Sequence, residues 1–297
     1  MLKKTHIAWT IGVAIMMIVT AIIYVNGRMS DEKDSPEGLL SVRNNTVFVD
    51  DLPIYRMAPV DGGDLLLGGF SDIFSISGQS VNRYLYAKKR VDSFIIGETP
   101  VNLALWNYVM FDYPSRQSDN VYSLATEEEW MEFISKLNLK TGRVFRLPTN
   151  DEWEYAARGG RFSKGYRYAG SDVIDEVAIY KGNLVENPDS ISVSQLFFHG
   201  KLKKPNELGL YDMCGSVWEI TSTPLYKTDP SLLDVYTALI PKKKDGSISE
   251  QEEDVLNILN QTVYRGGGFN SEEDKCSLDH VSTIQPTLMG LRLVLEN

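Results

Sequence analysis

The sequence predicts a mixed domain of short strands and helices, irregular in its second half, carried behind one N-terminal transmembrane helix. Three observations predict it. Ile7 to Val25 is free of charge. Capped helix starts precede apolar residues at helical spacing in the first half. The second half is rich in glycine, proline and short apolar segments, which fit brief strands and loops better than long helices.

The elements follow in chain order. Residues 1–6 carry Lys3 and Lys4 and are expected to stay in the cytoplasm, with the domain on the far side of the membrane. Residues 7–25, at about 1.5 Å rise each, come close to the ~30 Å hydrocarbon thickness. A cleaved signal peptide normally has a shorter apolar region of about 7–15 residues. The nearest small-residue cleavage candidate, Val25-Asn26-Gly27, is weak, and no cysteine offers a lipid anchor. An uncleaved anchor is therefore expected; cleavage would make the protein secreted. Residues 26–45 read as a tether, polar and Pro/Gly-bearing from Asn26 to Gly38. Residues 46–297 are assigned to one domain.

Within it, Thr46–Val49, Ile54-Tyr55, a buried Leu65-Leu66-Leu67 after the turn Asp61-Gly62-Gly63-Asp64, and Val91–Ile96 read as strands. Asn102 is placed to cap a helix with Leu103, Trp106 and Met110 on one face. Thr126 and Glu129 form a capping box before Trp130, Phe133, Ile134 and Leu137. Thr149 and Glu152 repeat it before Trp153, with Gly159-Gly160 as the stop. Ser249 can cap a further helix carrying Val255, Leu256, Ile258 and Leu259, after an exposed turn at Lys242–Gly246.

Composition removes several function classes. A net charge of −10, from 30 basic and 40 acidic residues, argues against nucleic acid. Two cysteines, Cys214 and Cys276, cannot make a multi-bridge scaffold, and whether they bond to each other is open. Three histidines, His6, His199 and His280, exclude a His-rich metal cage.

Five blocks carry a resemblance. Arg146–Gly160 reads RLPTNDEWEYAARGG, Pro205–Met213 reads PNELGLYDM and continues as Gly215-Ser216-Val217-Trp218-Glu219. Met57–Gly69 reads MAPVDGGDLLLGG, Arg265–Phe269 reads RGGGF, and Gly290–Leu293 reads GLRL. In this order, over roughly Met57 to Asn297, the chain resembles the formylglycine-generating enzyme (sulfatase-modifying factor) family. The resemblance implies an α+β domain related to C-type lectins, with little regular secondary structure. The residues agree with an architectural role: Glu154 and Arg158 can pair across one helical turn. Trp153, Tyr211 and Trp218 are bulky side chains with one polar handle, suited to pinning loops.

The resemblance also implies what the site should contain. The family's oxidases use two cysteines that bind copper(I), and these positions fall here on Ser271 and Cys276. A serine hydroxyl is a hard ligand and cannot replace a soft thiolate, so copper is not expected. The arginines that follow the second cysteine are replaced by Ser277–Ser282, and the acidic Glu272-Glu273-Asp274 would raise a thiol's pKa. Nothing in the sequence places Cys214 beside Cys276. Of the family's calcium ligands, Ala178-Ile179 and Ser216 occupy two positions without a side-chain carbonyl or carboxylate. Glu219 remains as the calcium ligand to consider. The iron motif of another branch is absent, since His199 and His280 are isolated. A non-catalytic module is expected, binding a protein or glycan through the loops of Asn270–Met289, with Asn270, Asp274, Asp279, His280 and Gln285 as contacts. The alternatives are an oxidase acting on a protein cysteine and a structural subunit of an envelope assembly. The membrane, through the N-terminal helix, is the other expected partner.

Overall fold

The chain enters the fold as a tight meander. Strands β1 (Leu40–Arg43), β2 (Thr46–Val49) and β3 (Leu52–Val60) are joined by Asn44-Asn45 and Asp50-Asp51. All four turn residues have positive φ, between 46° and 65°, the geometry that Asn and Asp tolerate and that two-residue hairpins require. The computed structural model describes residues 40–76, 79–112, 121–183, 199–224, 227, 260–287 and 289–296. The expected transmembrane segment 7–25, the tether up to residue 39, the turn at Lys242–Gly246 and the helix after Ser249 lie outside the described residues. Among the described residues no helix is long and apolar enough to cross a membrane. The last residues expected as tether, 40–45, are strand and turn instead, because Leu40 is buried in the core.

The main sheet has the order β1-β2-β3-β6-β13-β7, with β6 (Phe94–Gly97), β7 (Phe145–Arg146) and β13 (Val294–Leu295). The final strand thus lies inside the sheet: Val294 pairs with Ile96 on one side and Arg146 on the other. A second sheet holds the long hairpin of β4 (Gly63–Ile76) and β5 (Gln79–Val91), with β12 (His280–Val281) parallel to β4. The single strand expected over Val91–Ile96 is in fact the end of β5 and the start of β6, broken at Asp92-Ser93. Leu65–Leu67 is likewise not uniformly buried; the strand alternates, with Leu66 55% exposed and Leu67 fully covered. Two short pairs complete the sheets: β8 (Ala178–Ile179) with β9 (Cys214–Gly215), parallel, and β10 (Glu219–Pro224) with β11 (Thr262–Arg265), antiparallel.

The helices expected after Asn102, Thr126 and Thr149 form where expected. Helix α1 (Leu103–Phe111) starts at Asn102, whose side chain accepts from the Leu105 N–H. It is covered on more than one side, with Ala104, Leu105, Trp106, Tyr108 and Val109 buried, while Leu103 and Met110 pack half-buried at the core's margin. Helix α2 (Glu127–Thr141) and helix α3 (Asn150–Ala157) each start with a complete capping box, and α4 (Ile174–Val177) is a single turn. One core forms between α1, α2 and the main sheet, centred on Trp106, Trp130 and Phe133, whose rings lie 4.7–5.4 Å apart. The other surrounds α3 and includes Trp153, Tyr155, Cys214 and Cys276.

Candidate functional site

Helix α3 organises the region that the five sequence blocks build. Trp153 donates from Nε1 to Glu219 Oε2 at 2.8 Å. The same carboxylate takes Arg292 at both oxygens, Nε to Oε2 at 3.0 Å and Nη2 to Oε1 at 2.8 Å. Arg292 also donates to the carbonyls of Gly97 and Tyr211, both at 2.9 Å. The next residue of α3 is Glu154: its Oε1 accepts from the Gly68 N–H at 2.9 Å and from Arg158 Nε at 2.8 Å, and its Oε2 lies 2.9 Å from Arg265 Nη2. Arg265 in turn donates to the carbonyls of His280 and Leu278, and Arg158 pairs with Asp279 at 2.6 Å. Burial alone would lower the Arg292 guanidinium; Glu219 reverses this and holds it above its ordinary value. Arg265 stays lowered, because burial outweighs Glu154 and Arg158 adds a like charge. These charged groups therefore tie loops together: each fully buried arginine is held by carbonyls and one carboxylate, with Arg265 Nε left without a partner among the described residues.

The positions that match the family's copper cysteines hold neither a thiolate pair nor an accessible thiol. Ser271 accepts from the Gly268 N–H at 2.9 Å and closes a local turn. Cys276 is fully buried beneath Gly267, whose φ of +74° brings its backbone over the thiol. Burial pushes the Cys276 thiol far up, with Cys214 the next cause and Asp274 and Glu273 behind it. The acidic neighbours expected to dominate are thus the smaller effect. The structure also brings the two cysteines into electrostatic range of each other, against the expectation that they are unrelated. The reason is β9, which carries Cys214 into the α3 core where Cys276 already lies. Both are free, and burial pushes Cys214 up to about 12. Neither donor set fits a copper(I) ion reached from solvent, since ligation needs a thiolate and access.

The calcium positions meet in space but lack donors. The Ile179 carbonyl accepts from the Ser216 N–H at 2.8 Å, Ala178 has no side-chain oxygen, and the buried Ser216 hydroxyl has no partner among the described residues. Glu219, considered as a calcium ligand from sequence, is instead enclosed by Arg292 and Trp153 and is 1% exposed. No group of three or more His, Cys, Asp or Glu suited to a metal ion occurs among the described residues.

The five expected contact residues do not converge. Asn270 and Asp274 are exposed on either side of buried Ser271, Asp279 is held by Arg158, and His280 is buried with its ring 5.9 Å from that of Trp218. Gln285 stands apart from these, on a groove beside the start of α2. Sequence reading missed two features. One is the buried Asp212, which accepts from the Tyr122 hydroxyl and from the Lys201 N–H and which burial raises above its ordinary value. The other is that groove's wall of Glu127, Thr262, Tyr264 and Thr283. Glu127 was visible only as a first-turn carboxylate; the rest carried no local signal.

Residues 86–297 match the model of the sulfatase-modifying factor enzyme 1-like domain. The chain belongs to that family. Among relatives of the sulfatase-modifying factor family, the mouse "Inactive C-alpha-formylglycine-generating enzyme 2" is 32% identical over 186 residues, 51% of this chain and 57% of its own. "Chaperone protein LppX" of Paenibacillus barcinonensis is 41% identical over 92 residues, 27% of this chain and 33% of its own. The formylglycine-generating enzyme of Streptomyces coelicolor is 33% identical over 101 residues, 30% of each chain. The chain thus spans between a third and somewhat over half of the length of the first relatives it matches. Two solved structures share the fold: CarF, with a TM-score of 0.51 at 21% identity, covering 82% of this chain and 98% of its own, and Treponema denticola variable protein 1, with 0.50 at 20%, covering 82% and 95%. The sulfatase-modifying factor fold is thereby the frame in which the buried ion pairs above are to be read.

Proposed function

We propose that this protein is a non-catalytic binding module of the sulfatase-modifying factor family, held by its N-terminal helix on the extracytoplasmic side of a membrane. The observation that carries the reading is the state of the family's two cysteine positions. Ser271 accepts a backbone hydrogen bond, and Cys276 is fully buried with its thiol pushed up. A cysteine oxidase needs a nucleophilic or metal-binding thiolate that its substrate can reach. Here both thiols are buried, and burial holds them protonated. Calcium has no role in this reading, since Glu219 is committed to Arg292. The names of two relatives, an inactive formylglycine-generating enzyme and a chaperone protein, agree with binding protein without turning it over. The charge-free run Ile7–Val25 behind two lysines supports the anchor.

The test uses the full chain in detergent. Copper(I) is titrated under reducing conditions, and oxygen uptake is followed with a cysteine peptide. The expected result is no stoichiometric copper binding and no uptake above buffer. Copper-dependent turnover would overturn the reading. Protease protection of the domain in sealed membrane vesicles, inverted against right-side-out, tests the anchor and its orientation.

A further inference from the structure

We propose that the groove between the start of α2 and strand β11 captures a lysine or arginine side chain of an extended polypeptide. The proposal rests on the binding-module reading and names its ligand. The groove has a volume of about 420 Å³ and is open to solvent. Its wall is built by Glu127, Gln261, Thr262, Tyr264, Thr283 and Gln285, with Ile284 at the rim. Among the described residues Glu127 supplies the only charge in that wall. Among the described residues no lysine or arginine lines the groove, so phosphate and carboxylate ligands find no counter-charge in its wall.

The hydrogen-bond geometry leaves room for a cation. Thr262 Oγ1 approaches Glu127 Oε1 and the Tyr264 hydroxyl approaches Oε2, both at 3.4 Å, long for an O–H donor, whose usual distance is about 2.7–2.8 Å. A carboxylate offers about four acceptor sites, so each oxygen keeps capacity for a shorter, charge-assisted bond. A second observation is independent of the charge. Thr283 is only 8% exposed and lines the groove, so what is left uncovered of it can face a ligand there. A hydroxyl on an open groove can exchange a water for a polar group of the ligand. The Gln261 and Gln285 amides are exposed and match the donor and acceptor pattern of a peptide backbone. Ile284, 76% exposed, offers apolar surface to the aliphatic stem of a lysine or arginine. Glu127 at the first position of α2 also favours the helix start, but that role needs no open groove.

The experiment titrates the full chain in detergent, by calorimetry, with acetylated and amidated pentapeptides Gly-Gly-X-Gly-Gly, X being lysine, arginine, norleucine or glutamate. The lysine and arginine peptides are expected to bind, and the norleucine and glutamate peptides to bind at least about tenfold more weakly, as one charge-assisted bond implies. Glu127→Gln is expected to weaken the lysine peptide by about tenfold. Thr283→Val is expected to weaken it several-fold, with Thr283→Ser restoring it. Glu128→Gln, which removes an exposed neighbouring charge outside the groove, is expected to change binding less than about twofold, because exposed charges are screened. Circular dichroism melts establish that each variant is folded; should Glu127→Gln unfold, the Thr283 pair decides. Equal binding of the norleucine peptide, no binding of any peptide, or Glu127→Gln binding like the unaltered protein overturns the assignment. A copper-dependent oxidase signal in the separate assay above would instead overturn the reading beneath it.

Discussion

Replacing Glu219 with glutamine tests whether this buried carboxylate is a structural counter-ion. In the folded protein Glu219 is 1% exposed and Arg292 is wholly covered, so Glu219→Gln strands a guanidinium that has no route to water. Removing one partner of a buried ion pair costs about 3–5 kcal/mol, because the surviving charge keeps its desolvation cost and loses its compensation. The glutamine amide can still accept from Trp153 Nε1 through one oxygen, which keeps that hydrogen bond and places the loss on Arg292. For a domain of this size 1 kcal/mol is worth about 2–4 °C, so a fall in Tm of roughly 6–20 °C is expected. The assay is urea and thermal unfolding, each with calcium and with a chelator. The double variant Glu219→Gln with Arg292→Met is expected to recover part of the loss, since it removes the stranded charge. A single-variant cost below about 1 kcal/mol would refute the argument, as would a loss reproduced by the chelator alone on the unaltered protein, which would make Glu219 a metal ligand.

Three further outcomes follow from the same structure. Both thiols should be silent to an aromatic disulfide reagent in the native protein and should react together on unfolding, since both are buried and pushed up; immediate reaction of either in the native state would contradict their burial. Asp212 is raised by burial above its ordinary value of 3.8, so its folded form holds the proton more tightly than its unfolded form. Its stabilising contribution is therefore complete below that ordinary value and is lost as pH rises through the raised one. Asp212→Asn should flatten this decline in a series of urea midpoints across acid pH; an unchanged slope would remove Asp212 as its source. Gly267→Ala should cost more than Gly142→Ala. Both have positive φ, a penalty of about 1–2 kcal/mol. A Cβ at Gly267 would also meet Cys276 Sγ at 2.8 Å and the Lys275 carbonyl at 2.9 Å, whereas nothing lies within 4 Å at Gly142. Equal melting temperatures for the two variants would show that the Cys276 loop yields freely.

The sequence by itself determined what is local in this protein. The capping boxes at Thr126 and Thr149, the Asn102 cap and the Glu154–Arg158 pair each involve residues within four positions, and the chain cannot form these turns without bringing them together. The order of the five blocks, likewise linear information, was enough to give the family and with it the fold. The tertiary structure decided what depends on closure over long separations. Glu219 meets Arg292 across 73 residues, which turned an expected calcium ligand into a counter-ion. Cys214 meets the environment of Cys276 only because β9 enters the α3 core. Asp279 and His280, expected on a binding face, were claimed by Arg158 and by burial beside Trp218, while Gln285 joined Glu127 and Thr283 on a groove that no stretch of sequence contains. A side chain's type sets which partners satisfy it; only the folded chain sets which of them arrive, because a buried charge takes whichever counter-charge the packing places within reach.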